Sequence, residues 1–275
     1  MDKYKNLLTT TTLIPLWAKA VESVSKDPIL MDTQAYSTLK SLGYDLDYYD
    51  RKKQNPSQVG CCLRAKWMDD ETLSFIKQKG PCQVIQLGAG LDDRFRRIGM
   101  PEDVKFWYDL DLDEVAQMRR DLLPAADRNE IISMDMFDTR WMQRMKENGL
   151  PTLIIIEGVM MYLNNQLISG LFDHIAEELG EATLLFDSVP TIAVGNAKYH
   201  DSVKKYNRKV EYTWGIKSGK DIEKLSAHVH HQETVYMSDL PKARKFIWIL
   251  RFIYQIPFFH NRFNQLLVRS MISEY

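Results

Sequence analysis

Four short apolar runs in this 275-residue chain each end on residues able to hold a ligand. "VIQL" runs into Gly88 and Gly90, "VKFWY" into Asp109 and Asp111, "EIIS" into Asp135 and Met136, and "TLIII" into Glu157. A glycine pair lets the backbone turn tightly and lie against a bound molecule, because no Cβ intervenes. Such a pair also suits a plain strand-to-helix turn. A dinucleotide site would place a third glycine three positions beyond Gly90, with pyrophosphate resting on the helix start. This chain has Asp93 there and Asp92 before it. Two carboxylates repel pyrophosphate, whereas a ligand with a positive centre and no phosphate is accepted. The turn argues against NAD, and one of the two aspartates is expected to cap the following helix.

The acids downstream describe the ligand further. Asp109 and Asp111 lie 21 and 23 residues beyond Gly88, close to the ~20-residue distance at which an acid reaches a ribose in such folds. Asp111 stands on the loop side of its strand and is the better ribose ligand; Asp109 lies deeper. Asp135 can accept from an adenine amino group while the Met136 thioether packs on the ring face. A lone methionine serves a core equally well. Glu157 follows aliphatic residues directly, where an unpaired carboxylate is costly to bury, so it is a site candidate in need of a partner.

These positions need a scaffold, and the pattern around them supplies one. "QVIQL", "VKFWYDL", "EIISM", "TLIIIE" and "ATLLFD" are five candidate strands, separated by helical patterns of a length that suits right-handed crossovers. "TLIIIE" is almost wholly apolar, as a central strand covered on both faces must be. The reading is an α/β chain with a mostly parallel sheet, in which ligands bind at the carboxyl ends of the strands. Residues 1–80 form an N-terminal helical cap, 81–187 the core, 188–240 a late lid or substrate insertion, and 241–275 a C-terminal helix and last strand, all in one domain.

Composition narrows the partners. A net charge of −1 with both signs interspersed provides no basic field for nucleic acid. Within Lys198 to Lys224 eight Lys or Arg stand against four Asp or Glu, which reads as a solvated face. No stretch is long enough to span a membrane, and "MDKYKNLLTTTTLIPLW" lacks the apolar core of a signal peptide, so the chain is expected to be cytoplasmic. The three cysteines, Cys61, Cys62 and Cys82, are expected to be free thiols. His228, His230 and His231 in "HVHHQE" have one neighbouring carboxylate and read as strand-edge residues, with no metal expected.

In their order and spacing, "VIQLGAGLDDRFRRI", "WYDLDLDEVAQMRR", "SMDMFD" and "IIIEGVMMYL" resemble the leucine carboxyl methyltransferase superfamily, particularly its bacterial branch similar to the tetracenomycin polyketide O-methyltransferase. The resemblance covers roughly residues 10 to 187, with a weaker echo in "YTWGI". It implies a Rossmann-like class I methyltransferase: S-adenosylmethionine as cofactor, and a seven-stranded sheet whose last inserted strand is antiparallel. It also implies that Arg64 in "CCLRAKWMDD" pairs with the cofactor's methionine carboxylate, a bidentate task suited to guanidinium. Gly88 and Gly90 then line the methionine moiety, Asp111 takes the ribose, and Asp135 and Met136 take the adenine. Glu157 lies in the loop beneath the cofactor. Lys19 in "PLWAKA" stands where the bacterial branch often has arginine. The family usually reads Asp-Thr-Arg after the glycine turn; here Asp92-Asp93-Arg94 loses a hydroxyl and adds a charge. Of Arg94, Arg96 and Arg97, at least two are expected on a solvated helix face.

The implied function is O-methylation of a carboxyl or hydroxyl group on a small molecule, polyketide-like or another secondary metabolite. The alternatives are methylation of a protein's C-terminal carboxylate, or a catalytically silent cofactor-binding regulator. Tyr162, His200 and His228 are the candidates if a base is needed. "FIWILRFIYQIPFF" is expected to be a helix packed on the sheet, with a lipid-facing surface or a homodimer contact as the other readings.

Overall fold

A computed structural model describes residues 10–51, 53, 55–124, 126–195 and 211–274. Seven strands form one sheet in the order β3-β2-β1-β4-β5-β7-β6. They are β1 (Cys82–Leu87), β2 (Val104–Asp111), β3 (Asn129–Ser133), β4 (Thr152–Ile156), β5 (Ala182–Ser188), β6 (Val229–Tyr236) and β7 (Leu266–Ile272). β1 to β5 run parallel, and β7 is antiparallel to both β5 and β6. This is the Rossmann-like arrangement expected from the sequence, including the single reversed strand.

Among the described residues three helices precede the sheet: α1 (Thr10–Ser23), α2 (Thr33–Ser41) and α3 (Asn55–Lys79). Crossovers carry α4 (Arg94–Arg97), α5 (Asp113–Leu122), α6 (Arg140–Asn148) and α7 (Asn165–Leu179), and α8 (Trp248–Gln255) and α9 (Pro257–Phe263) lead into β7. Because side chains alternate along a strand, β4 feeds both layers. Leu153 and Ile155 join Trp17, Leu63 and Phe95 beneath the cap, while Ile154 and Ile156 join Trp141, Phe172 and Ile175 on the other face. Every residue of β4 is buried, as a central strand requires.

Arg64 projects from the middle of α3, nine residues after its start. One expectation needs correcting. The C-terminal apolar run is not a helix buried against the sheet. It breaks into α8 and α9 at Pro257, and no residue of α8 is buried. The cause lies in the pattern: apolar side chains surround α8, yet one stripe only can face the protein. Leu250 and Tyr254 take that stripe, and Trp248, Ile249 and Phe252 are left outside. Of the segment 188–240, residues 196–210, His200 included, lie outside the described residues. The remainder supplies β6 and packs Trp214, Ile216 and Ile222 into the second layer.

Candidate functional site

The sheet's connections diverge between β1 and β4, the place where an open α/β sheet leaves a crevice beyond its carboxyl ends. A cavity of about 410 Å3 opens there. All seven residues singled out from the sequence line it: Gly88 and Gly90 after β1, Asp111 ending β2, Asp135 and Met136 after β3, Glu157 after β4, and Arg64 from α3. Lys19 of α1 joins them, as does Tyr162. Asp109 turns into the interior, accepting from Gln86 at 2.7 Å, the Trp107 indole at 3.0 Å and Arg119 at 2.5 Å.

The glycine turn is built for its place. Gly88 has φ +69°, and a Cβ there would lie 2.6 Å from Val159 Cγ2, so neither the backbone nor the space admits a side chain. Gly90, at φ +54°, donates its N–H to Asp111 Oδ2 at 2.7 Å, and Leu112 N–H donates to Oδ1 at 2.9 Å. Asp111 thereby ties the turn to β2; burial raises its pKa and those two amides oppose the rise. Arg119 braces the turn from behind, donating to the carbonyls of Gly90 at 2.8 Å and Asp92 at 3.0 Å.

The opposite wall is ionic. Arg64 donates from Nε to Glu157 at 3.1 Å and from Nη1 to Asp187 at 3.1 Å. Arg94 joins Glu157 to Asp92, and Lys19 reaches Asp92 at 2.5 Å. Arg97 grips Asp69 through two bonds of 2.8 and 2.9 Å and extends to Asp92 at 2.6 Å and Asp32 at 2.8 Å. Asp32 at the same time caps α2 by accepting from Ala35 N–H at 2.8 Å. A chain of alternating charge thus runs from the cap to the end of β5. Burial pushes the Glu157 carboxyl up, but Lys19, Arg64 and Arg94 together pull it down to about 2. Asp92 follows the same logic: burial is outweighed by Arg97, Lys19 and Arg94, and its pKa lies well below the carboxylate range. Asp187 differs, since burial holds its pKa above the ordinary value despite Arg64.

This network revises several expectations. The Arg94 and Arg97 side chains are buried rather than solvated, 0% and 5% exposed, against 29% for that of Arg96. Neither Asp92 nor Asp93 caps α4 with its side chain: Asp93 pairs with Arg96 at 2.9 Å, and Asp92 is consumed by its three cations. The repulsion of pyrophosphate argued from these two acids is therefore muted. A stronger obstacle is that α4 spans four residues and has little dipole to offer. His228 lies outside the cavity and bonds the Ser273 carbonyl at 3.2 Å. Sequence reasoning missed Asp187, although "LLFD" carries the signal that drew attention to Glu157, an acid ending an aliphatic strand. Nothing local marks Arg94 or Arg97.

The chemistry of the walls fits an amino acid joined to a nucleoside. Asp111 and Asp135 flank an apolar floor of Leu112, Met134, Met136 and Phe137, suited to a ribose and a flat base. At the ionic wall Arg64 Nη2 makes no hydrogen bond among the described residues and lies 3.0 Å from where a Gly158 Cβ would stand. That edge can meet a carboxylate, with Glu157 beside it for an ammonium.

Residues 12–176 match the family described as leucine carboxyl methyltransferase, more than half of the chain. The protein belongs to this family. The matched stretch holds every residue lining the cavity and stops before Asp187, α8 and α9. Among curated relatives, the chain is 26% identical to the tetracenomycin polyketide synthesis O-methyltransferase TcmP of Streptomyces glaucescens over 231 residues, 84% of this chain and 83% of that one. It is 24% identical to the S-adenosyl-L-methionine-dependent methyltransferase dpfgK of Gibberella zeae, over 95% and 94% of the two chains. Among solved structures, a candidate methyltransferase from Thermobifida fusca YX superposes with TM-score 0.58 at 13% identity, covering 98% of each chain. A DUF574 family protein from Streptomyces avermitilis gives 0.54 at 12% identity, covering 92% and 95%. At such identities the two structures speak for the fold alone.

Proposed function

We propose that this methyltransferase is S-adenosylmethionine-dependent and methylates a carboxyl or hydroxyl oxygen of a small molecule, polyketide-like or another secondary metabolite. One observation carries the reading: a single cavity joins an acid-flanked apolar floor to an ionic wall, with the Gly88–Gly90 turn between them. In this assignment Asp111 accepts from the ribose hydroxyls, Asp135 and Met136 hold the adenine, and Arg64 with Lys19 meets the methionine carboxylate. Glu157 faces the amino group. When bound, the cofactor supplies a methyl already activated on sulfonium, so that a C–O bond forms as the C–S bond breaks.

The chain's own residues then have three tasks: to align an acceptor oxygen behind that methyl, to exclude water, and to manage a proton where the acceptor carries one. Burial raises the phenol of Tyr162 at the cavity, and pushes that of Tyr212, whose ring lies 5.7 Å from the Tyr162 ring, up to about 12. Both stay protonated at neutral pH and serve as donors rather than bases. A carboxylate acceptor, which needs no base, suits them better than a phenol. The three thiols are free, and among the described residues no helix is long and apolar enough to cross a membrane. We place the protein in the cytoplasm on those thiols.

Calorimetric titration tests the assignment. Wild-type protein is expected to bind S-adenosylmethionine and S-adenosylhomocysteine and to ignore NAD. Failure of the wild type to bind either sulfur ligand would overturn it. A panel of carboxylic acids and phenols, followed by release of S-adenosylhomocysteine, then finds the acceptor; binding without turnover on any of them would favour a regulatory role.

A further inference from the structure

We propose that α8 and α9 form an interfacial anchor that seats the cavity end of the protein on an anionic lipid bilayer. Trp248 is 73% exposed, and Phe252 and Phe258 are each 60% exposed, with Ile249 and Phe263 beside them in the chain. Single exposed apolar residues are ordinary on a soluble protein; several aromatic ones concentrated on two consecutive short helices are not.

The charge of the segment specifies the partner. From Pro241 to Ser273 there are six Lys or Arg and no Asp or Glu. Lys242 and Arg244 are held by Asp27, and Lys245 by Glu22. Arg251 is exposed within the aromatic face of α8, and the Arg262 guanidinium lies 4.3 Å over the Phe258 ring. Tryptophan and phenylalanine mixed with arginine on a short helix is the composition of a helix lying in a membrane interface: the rings enter the acyl boundary while guanidinium groups meet anionic headgroups. Tyr254 and Leu250, on the inward stripe, fasten α8 to the protein so that the outer stripe is presented.

Position gives the anchor its sense. α9 packs on the turn Thr191–Ala193 that follows β5, and β7 begins at Leu266, in register with Ser188 at the carboxyl end of β5. Gln265, between α9 and β7, donates to Asp187 at 2.6 Å, and Asp187 in turn holds Arg64 of the cavity wall. The exposed helices therefore lie at the same end of the sheet as the cavity. A bilayer docked on them would bring amphiphilic acceptors to the rim. Docking itself is independent of the proposed activity and can be measured without a methyl acceptor.

The test is co-sedimentation of the full chain with vesicles of phosphatidylcholine alone and of phosphatidylcholine mixed equally with phosphatidylglycerol. The anionic vesicles are expected to carry down roughly tenfold more protein at low salt, with the excess lost at high salt. The double variant Trp248→Ser/Phe252→Ser should abolish binding to both, and Arg251→Glu/Arg262→Glu should remove the preference for anionic lipid, each with unchanged circular dichroism. Two results would overturn the proposal. One is wild-type protein that stays in solution with both vesicles. The other is a wild-type dimer by light scattering that the double serine variant converts to monomer while vesicle binding is absent, which would assign the face to a second copy of this chain.

Discussion

Two regions of the molecule break the ordinary rule of apolar inside and charged outside, and they do so in opposite directions. Under the cap, Arg94, Arg97 and Asp187 are buried with their counter-charges; on α8 and α9, Trp248, Phe252 and Phe258 stand in solvent. The buried charges have counter-charges within the chain, which offset most of their cost although Arg94 Nε and Nη1 make no hydrogen bond among the described residues, and the result is a paired wall around a cavity. The exposed rings are left largely uncovered by the fold, Trp248 at 73% and Phe252 and Phe258 at 60% each. Departures satisfied inside the fold belong to its architecture, whereas departures left open point to something outside it.

Removal of one residue from each region should sharpen that contrast most. Arg94→Ala leaves Glu157, Asp92 and Asp69 facing one another without their shared cation. A loss of about 3–5 kcal/mol in urea unfolding is expected. A loss below about 1 kcal/mol would mean that water or neighbouring cations already satisfy the network.

Acid should discriminate the regions next. The folded-state pKa of Glu157 is about 2 against an ordinary 4.5. A depressed carboxyl stabilises the fold above its unfolded value, and that contribution is lost as pH falls from about 4.5 toward 2. Asp92 acts in the same sense. Asp187, raised by burial, acts in the opposite sense and offsets part of it. Glu157→Gln should flatten the acid limb of a stability profile by on the order of 3 kcal/mol. An unchanged limb would show that this carboxyl is not held by its cations.

Smaller changes are expected at the turn. Asp111→Ala removes the acceptor for Gly90 N–H and, on the proposed assignment, the ribose contacts as well. S-adenosylmethionine should bind roughly 10- to 100-fold more weakly in calorimetry. Equal affinity would displace Asp111 from the ribose. The smallest effect belongs to Trp248→Ser, whose urea midpoint should stay within about 0.5 kcal/mol of wild type. A drop of 2 kcal/mol or more would show that the exposed ring is packed after all, and the contrast between the two regions would collapse.

Much of the site could be read directly from the chain. The glycine turn, Asp111, Asp135, Met136 and Glu157 all lie at ends of parallel strands, and strand ends are visible wherever an apolar run stops. Arg64 was legible by resemblance alone, since mid-helix it has no local mark. Asp187 was missed because its partners, Arg64, Gly158 and Gln265, lie 123, 29 and 78 residues away. Arg96 and Arg97 are adjacent in the same short helix, and the side chain of one is 29% exposed while the other bonds three aspartates.

Periodicity and strand ends therefore determined the parallel sheet, its central strand, the place of the cavity and the glycines and acids that line it. Which charges would be buried, and which apolar face of α8 would be left uncovered, only the tertiary structure decided. Local sequence determines the direction in which a side chain leaves the backbone; burial depends on what distant segment arrives against it. For Arg94 that is Glu157 and Asp69, and for Trp248 the fold brings no such cover.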